Sequence, residues 1–462
     1  MQPPASLWWS QLTSPVTPRR SLDTHIDVDV CIVGGGYTGL WTARELKRRE
    51  PNLRIAVLEK SVCGFGASGR NGGWVSALFP VSDEQISRDY GSELLSHQRS
   101  VLQQSVQNLG SSLASDAIDA EYRRGGTLTF ARSELQASRL QSAVQSAHES
   151  GVGTSDLMWL DKDQARERGH LHGSLGATYS PHCARVHPAK LVRGLSDVCE
   201  ALGVQIFENS AVTRIVPRMR THQPEVITPQ GSIHAEFVVR ATEGFTSTLA
   251  GERRTVAPIY SLMIASEPQS EEFWSEVGFS KYETFADDRH LIIYGQRTVD
   301  NRIAFGGRGS PYHFGSTIEE RFDSNHKVFS ELEKTLRELF PTLRGEITHQ
   351  WGGPLGMPRD LMPSVTIDYE SGIAAAGGYT GDGVTLSYVA GNALADLLTK
   401  PTVTTEFTRL PFVQHHSKKW EIEPFRWLGV NAGLALAKRA DHVEHRKGFA
   451  SKASSLLERL LR

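Results

Sequence analysis

The apolar positions change period early in the chain, and that change marks its first functional stretch. Val28, Val30, Ile32 and Val33 form a short β-rich run of the kind buried in a parallel sheet. It stops at Gly34-Gly35-Gly36-Tyr37-Thr38-Gly39, and Leu40–Arg49 continues as a predicted helix of good formers. A second apolar strand, Arg54–Leu58, follows and ends in Glu59. Residues 83–120 read as helical, with Leu94, Leu95, Val101, Leu102, Val106 and Leu109 at three- and four-residue spacings. A strand starts at Gly125–Phe130, a polar helix runs from Ser133 to about Ser150, and a helix opened by Pro188 ends at Gly203, before a strand Val204–Glu208. Phe237–Arg240, Leu291–Tyr294 and Ile303–Phe305 are further apolar strands, and Gly306-Gly307-Arg308-Gly309 reads as a turn. Ile318–Leu339 is predicted helical up to Pro341.

The first junction is a strand, G-x-G-x-x-G and a helix. Gly34 permits the tight turn, Gly36 lets the backbone approach a pyrophosphate, and Gly39 lets helix and strand pack closely. The helix N-terminus offers unpaired N–H groups and the positive end of its dipole to phosphate. Glu59 lies twenty positions past Gly39, where a carboxylate accepts hydrogen bonds from both ribose hydroxyls. This combination points to an adenine dinucleotide, NAD or FAD, over one carrying a 2′-phosphate.

After Glu59 the stretch Lys60–Ser76 holds five glycines between Gly64 and Gly73, together with the apolar Phe65, Trp74 and Val75. Such a loop either hugs a flat ligand or is a flexible surface segment. Its position after the ribose-binding acid favours the ligand, with Arg70 and Asn71 the polar side chains best placed to reach it.

The segments G-G-G-Y-T-G, V-L-E-K and G-F-G-A-S-G-R-N-G-G resemble the D-amino acid oxidase-like FAD-dependent oxidoreductases, most closely the gamma-glutamylputrescine oxidoreductase-like branch. The resemblance runs from about residue 26 to 400. It implies an α/β (overall α+β) fold in which a Rossmann-like FAD-binding domain is interleaved with an antiparallel-sheet substrate domain. The expected division is an arm at 1–25, an FAD-binding domain at 26–95, 183–252 and 346–400, a substrate domain at 96–182 and 253–345, and a helical extension at 401–462. Val186-His187-Pro188-Ala189-Lys190-Leu191 resembles the family's re-entry segment, and Ala241-Thr242-Glu243-Gly244 its turn beside the dinucleotide.

A second glycine-rich junction, Gly372–Gly391, has a strand, the loop Tyr379-Thr380-Gly381-Asp382-Gly383 and a helix from about Val384. That helix N-terminus could stabilise negative charge on the flavin N1–C2=O edge, a need a plain NAD enzyme lacks. The pair of junctions moves the cofactor from NAD to FAD. The cofactor contacts the resemblance implies are Gly34, Gly36, Tyr37, Thr38 and Gly39; Glu59 and Lys60; Ala67, Ser68, Gly69, Arg70, Asn71 and Gly72; Val212, through its backbone to adenine; Ala241 and Thr242; and Gly381, Asp382, Gly383, Val384 and Thr385.

The implied reaction is oxidation of a substrate C–N bond by hydride transfer to flavin N5, with the amine held uncharged. No catalytic His is demanded. Arg70 and Asn71 in the flavin loop and Arg308 in the glycine turn are the candidates for catalysis or substrate binding, Arg308 having the alternative of a solvated turn residue. Relatives that bind FAD covalently carry a Cys where this chain has Trp351-Gly352-Gly353, so non-covalent FAD is expected. A Lys that grips the substrate carboxylate in sarcosine oxidase-like relatives is replaced by Val384-Thr385, which disfavours a simple N-methyl amino acid. Their oxygen-activating Lys aligns with Ala304, leaving oxygen or another acceptor open. A polyamine derivative, an aminoalkyl phosphonate and an amino acid are the candidate substrates. A flavin-dependent 2-hydroxy acid dehydrogenase and a non-enzymatic accessory flavoprotein are the alternatives.

Composition narrows the picture. Lys and Arg total 50 against 52 Asp and Glu, so nothing points to nucleic acid. The four cysteines lack a C-x-x-C pair and read as free thiols in a reducing compartment. His182, Cys183 and His187 fit no zinc spacing, and no metal is expected. With neither a signal peptide nor an apolar span, a soluble, cytoplasmic protein is expected. The Pro- and Ser-rich arm carries Trp8-Trp9, read as a surface anchor with a place beside the active site as alternative. The tail from residue 416 is basic and ends in Leu456-Leu457-Glu458-Arg459-Leu460-Leu461; packing on the body is preferred to membrane-surface contact.

Overall fold

The apolar run at residues 28–33 becomes the centre of a sheet. In the computed structural model, which describes residues 5–219, 222–309 and 311–447, strand His25–Val33 pairs in parallel with Ile55–Leu58 on one side and Ser232–Arg240 on the other. Gln205–Phe207 extends the first side; Ile373–Gly377 and then the antiparallel Ser364–Asp368 extend the second. Val30 and Ile32 pack with Leu40, Trp41 and Val389 on one face, and Cys31 and Val33 with Leu58, Phe207 and Val238 on the other. Burial on both faces is why this strand lacks polar alternation.

A second eight-stranded sheet runs, edge to edge, Ile347–Met357, Ala257–Ser266, Ile303–Arg308, Ile293–Arg297, Thr284–Asp287, Thr127–Ala131, Gly176–Ser180 and Met158–Asp161. Its pairs are antiparallel except Thr284–Asp287 with Thr127–Ala131, where the two substrate-side chain segments meet in parallel. The fold is the expected α/β dinucleotide-binding unit interleaved with a largely antiparallel one.

Several expected boundaries move. Ile347–Met357 pairs along its length with Ala257–Ser266, so the chain rejoins the first sheet at Ser364 and not at residue 346. Residues 83–120 form two helices, Asp83–Tyr90 and Ser92–Ser115, broken at Gly91. Leu95, Val101, Leu102, Val106 and Leu109 bury in the dinucleotide-side core, so this segment belongs with that half beyond residue 95. The run 318–339 splits into a short 3-10 turn, Glu320–Asp323, and a helix, His326–Leu339, because the Asn325 side chain caps the latter by accepting from Val328 N–H.

Gly306, Gly307 and Arg308 are not a turn. They continue strand Ile303–Arg308, and a Cβ at Gly306 would lie 2.6 Å from the Tyr294 ring. Glycine serves close approach of an aromatic side chain here. Trp8 and Trp9, expected at the surface, are buried in a short helix, Leu7–Ser10, among Val62, Met263, Ala304 and Trp351. Helix Phe425–Lys447 docks on the body where Asp441 accepts the backbone N–H groups of His290 and Leu291. The Leu456–Leu461 stretch lies outside the described residues. No helix among the described residues is long and apolar enough to cross a membrane.

Candidate cofactor and active site

Both glycine junctions end at one cleft of about 1210 Å³, open solvent at its mouth included. Gly34 holds φ +115°, and a Cβ on it would sit 2.3 Å from the Ala241 carbonyl oxygen. No other residue permits both the backbone angle and the contact with the neighbouring strand end. From Gly36 the chain enters helix Tyr37–Arg49; across the cleft Gly381 leads into helix Gly383–Thr399. The Thr38 and Tyr379 hydroxyls join the junctions at 2.8 Å. Two helix N-termini therefore face one cavity, an arrangement suited to anionic groups.

Glu59 stands at the end of its strand. Its carboxylate accepts Gly35 N–H and Ser61 N–H, both at 2.9 Å. Burial pushes the carboxyl up, and those two N–H groups oppose the shift. Two oxygens with two donors taken leave acceptor capacity for a diol. Thr385 Oγ1 is buried without a hydrogen-bond partner among the described residues.

The glycine loop is locked from several sides. Ser68 Oγ accepts Tyr37 N–H at 2.9 Å. Asn71 Nδ2 donates to the Ala67 and Ser68 carbonyls, and its Oδ1 accepts Gly73 N–H at 2.7 Å. Trp8 Nε1 donates to the Asn71 carbonyl at 2.9 Å, and Trp351 Nε1 to that of Arg70 at 2.8 Å. Arg70, expected to reach the ring, instead sends Nη1 to Asp323 Oδ2 at 2.6 Å and the Gly352 carbonyl at 2.8 Å. Its guanidinium is buried and joins the loop to the other half of the molecule. Asp323 remains raised by burial against the lowering effect of that cation. Gly352 stands where covalent relatives are expected to carry Cys; a Cβ there would lie 2.8 Å from the Asp323 carbonyl oxygen.

Of the expected contacts, Gly34, Gly36, Tyr37, Thr38, Glu59, Lys60, Ala67, Ser68 and Asn71 line the cleft, as do Val212, Ala241, Thr242, Gly381, Gly383 and Val384. Gly39, Gly69, Arg70, Gly72, Asp382 and Thr385 are not on its wall. Gly39 acts behind it, since a Cβ there would strike the Gly34 carbonyl oxygen at 2.1 Å. Arg308 lies in a strand of the second sheet, and its side chain is outside the described residues.

Glu243, Phe65, Phe245, Leu355 and Tyr379 also line the cleft and were not among the expected cofactor contacts. Glu243 is the most informative. Its carboxylate accepts Gly356 N–H at 2.9 Å and Tyr379 N–H at 3.2 Å, tying three chain segments together at the cleft. Burial raises this carboxyl to about 7. The signal available was an acid within the small-residue turn after a buried strand. Toward the second sheet, Tyr294 hydrogen-bonds Ser261 at 2.9 Å and packs where a Gly72 Cβ would be, while Gln296 donates from Nε2 to the Gly72 carbonyl and accepts at Oε1 from Arg185 Nε.

His182, Cys183 and His187 do not converge. His182 pairs with Asp156, Cys183 contacts Thr284, and His187 Nδ1 caps its helix by accepting Lys190 N–H.

The chain matches the FAD dependent oxidoreductase family over residues 29–397. It is 29% identical over 396 residues to the gamma-glutamylputrescine oxidoreductase of Escherichia coli (strain K12), covering 85% of this chain and 88% of that protein. The crystal structure of glycine oxidase from Geobacillus kaustophilus superposes with a TM-score of 0.70 at 22% identity, over 84% of this chain and 99% of that one. L-Proline dehydrogenase from P. horikoshii gives 0.67 at 18%, over 86% and 96%. The paired helix N-termini and the diol-ready Glu59 fit FAD, and the chain belongs to the family of FAD-dependent oxidoreductases.

Proposed function

We propose that this oxidoreductase oxidises the C–N bond of an amine, and that a polyamine derivative suits it better than an amino acid or an aminoalkyl phosphonate. The relatives support an amine: one is named for gamma-glutamylputrescine and another for glycine. The observation that carries the choice among amines is the Arg70–Asp323 pair at 2.6 Å. The Arg70 guanidinium of the flavin loop is already neutralised, and Val384-Thr385 supplies no cation. A reacting amine with no adjacent anion needs neither.

When bound, FAD supplies the two-electron acceptor for the bond next to nitrogen. Glu59 would hold the ribose, the helix starting at Tyr37 the pyrophosphate, and the helix starting at Gly383 the electron-rich ring edge. Tyr294, backed by Ser261, shields the loop from the substrate side and excludes water. Arg70 is a positioning residue, and Arg70→Met should slow flavin reduction for every substrate. Non-covalent binding is supported by the lack of Cys or His among the described residues that line the cleft; acid precipitation should leave intact FAD in the supernatant.

The holoenzyme, incubated with one member of each amine class and with 2-hydroxy acids, should form a carbonyl product and release an amine stoichiometrically from the polyamine derivative. A 2-oxo acid formed from hydroxy acids alone would overturn the amine reading, and no product from any of them would favour an accessory flavoprotein.

A further inference from the structure

At the opposite end of the central strand from Gly34, three side chains converge with no role in the cofactor site. Asp27 stands beside His234 in the parallel register of His25–Val33 with Ser232–Arg240, and His25 stands beside Ser232. His25 and Asp27 are two residues apart and so share one face of the sheet. The two imidazole rings meet edge to face with centroids 4.4 Å apart. One nitrogen of each ring turns toward the same carboxylate oxygen: His25 Nε2 lies 3.7 Å and His234 Nδ1 3.5 Å from Asp27 Oδ1. These are too long for hydrogen bonds. They are close to the edge of a tetrahedron with metal–ligand bonds of about 2.0–2.2 Å, roughly 3.3–3.6 Å.

A second observation concerns the other nitrogen of each ring. His25 Nδ1 hydrogen-bonds Ser232 Oγ at 2.9 Å, and His234 Nε2 faces Glu225 Oε1 at 3.7 Å from the neighbouring antiparallel strand. Metal-ligating imidazoles characteristically hand their second nitrogen to a hydroxyl, carbonyl or carboxylate, which fixes ring orientation and tautomer. Arg54 pairs with the Asp29 carboxylate and donates Nη1 to the Asp27 backbone carbonyl at 3.3 Å. The three ligand atoms lie within 4.8 Å of one another, and no other such group occurs among the described residues.

We infer that His25, Asp27 and His234 form a binding site for a divalent transition-metal ion of the zinc type, with Ser232 orienting the His25 imidazole and the Glu225 carboxylate beside the second nitrogen of His234. Two nitrogens and one carboxylate oxygen favour a borderline ion such as Zn²⁺ over Mg²⁺ or Ca²⁺, which prefer all-oxygen shells. All three ligands sit on paired strands, so the site is preformed and solvent can supply the remaining ligand. A bound ion would clasp two central strands of the dinucleotide-binding sheet, one of them the strand that ends in the Gly34 turn.

The test is titration of the full-length holoenzyme with Zn²⁺ by calorimetry and with Co²⁺ by visible absorption, against His25→Ala/His234→Ala and, separately, Asp27→Asn. The expected result is one equivalent bound at micromolar or tighter affinity, intense d–d bands from a low-coordinate Co²⁺, and a rise in melting temperature with metal. The double variant should lose at least 100-fold in affinity, and Asp27→Asn at least 10-fold, with FAD content unchanged in both. Stoichiometric binding of undiminished affinity in the two variants, or only weak binding of several equivalents to the unaltered chain, would overturn the assignment.

Discussion

The hydroxyls of Thr38 and Tyr379 lie 2.8 Å apart although 341 residues separate them in the chain. One belongs to the first turn of helix Tyr37–Arg49, the other to the loop before helix Gly383–Thr399. Their bond links the two helix N-termini that face the cofactor cleft. Tyr379→Phe removes it and leaves the buried Thr38 hydroxyl without that partner, at a cost of about 1–2 kcal/mol. FAD affinity, measured by titrating apoprotein, should fall roughly 5- to 30-fold. An unchanged affinity would separate the junctions energetically.

If Glu59 holds the ribose as proposed, Glu59→Ala removes the acceptor for both hydroxyls. At about 1.5–3 kcal/mol for each charge-assisted bond, loss of one should weaken FAD binding roughly 10- to 100-fold and loss of both roughly 100-fold or more. Fluorescence titration of the apoprotein reads this directly, and equal affinity in the variant would show that the ribose is held elsewhere.

Glu243 makes stability depend on pH in a predictable direction. Burial raises its carboxyl from 4.5 to about 7. The folded state thus holds the proton more tightly than the unfolded one. The associated stability is fully present below about pH 4.5 and is lost as pH rises through about 7. Between these limits the unaltered chain should lose on the order of 3 kcal/mol relative to Glu243→Gln, which does not titrate. Denaturant unfolding of both apoproteins across the window is the check, and parallel curves would show that Glu243 keeps an ordinary proton affinity.

Trp8 is fully buried and packs edge-on against His187 and Trp351 behind the flavin loop. Trp8→Ala should destabilise the protein by about 3–5 kcal/mol through the cavity it leaves. Because its indole also holds the Asn71 carbonyl, the purified variant should retain less FAD. Full FAD occupancy in a destabilised variant would confine the role of Trp8 to packing.

What was legible in the sequence was what local pattern determines. The strand at Val28–Val33, the Gly34–Gly39 turn, Glu59 and the Pro188 helix start each follow from short-range chemistry, and each appears at its expected place. Features decided by distant partners were not legible. Four residues at Leu7–Ser10 carry no periodicity, so nothing local distinguishes a surface arm from a buried wedge. Glycines at 306 and 307 looked like a turn because what they accommodate, the Tyr294 ring at Gly306 and Leu332 with Ile292 at Gly307, lies on other elements. The amphipathic face of Ser92–Ser115 announced a helix without saying which half would bury it. Arg70 was visible as a polar residue in a ligand-hugging loop, but its partner Asp323 is 253 positions away.

The most direct measurement is anaerobic flavin reduction, followed by loss of absorbance near about 450 nm. The holoenzyme is mixed with polyamine derivatives, aminoalkyl phosphonates, amino acids and 2-hydroxy acids in turn. Rapid and complete bleaching by a polyamine derivative, slower or absent bleaching by the anionic amines, and none by hydroxy acids is the predicted result. Bleaching by hydroxy acids alone, or a flavin that no amine reduces, would contradict it.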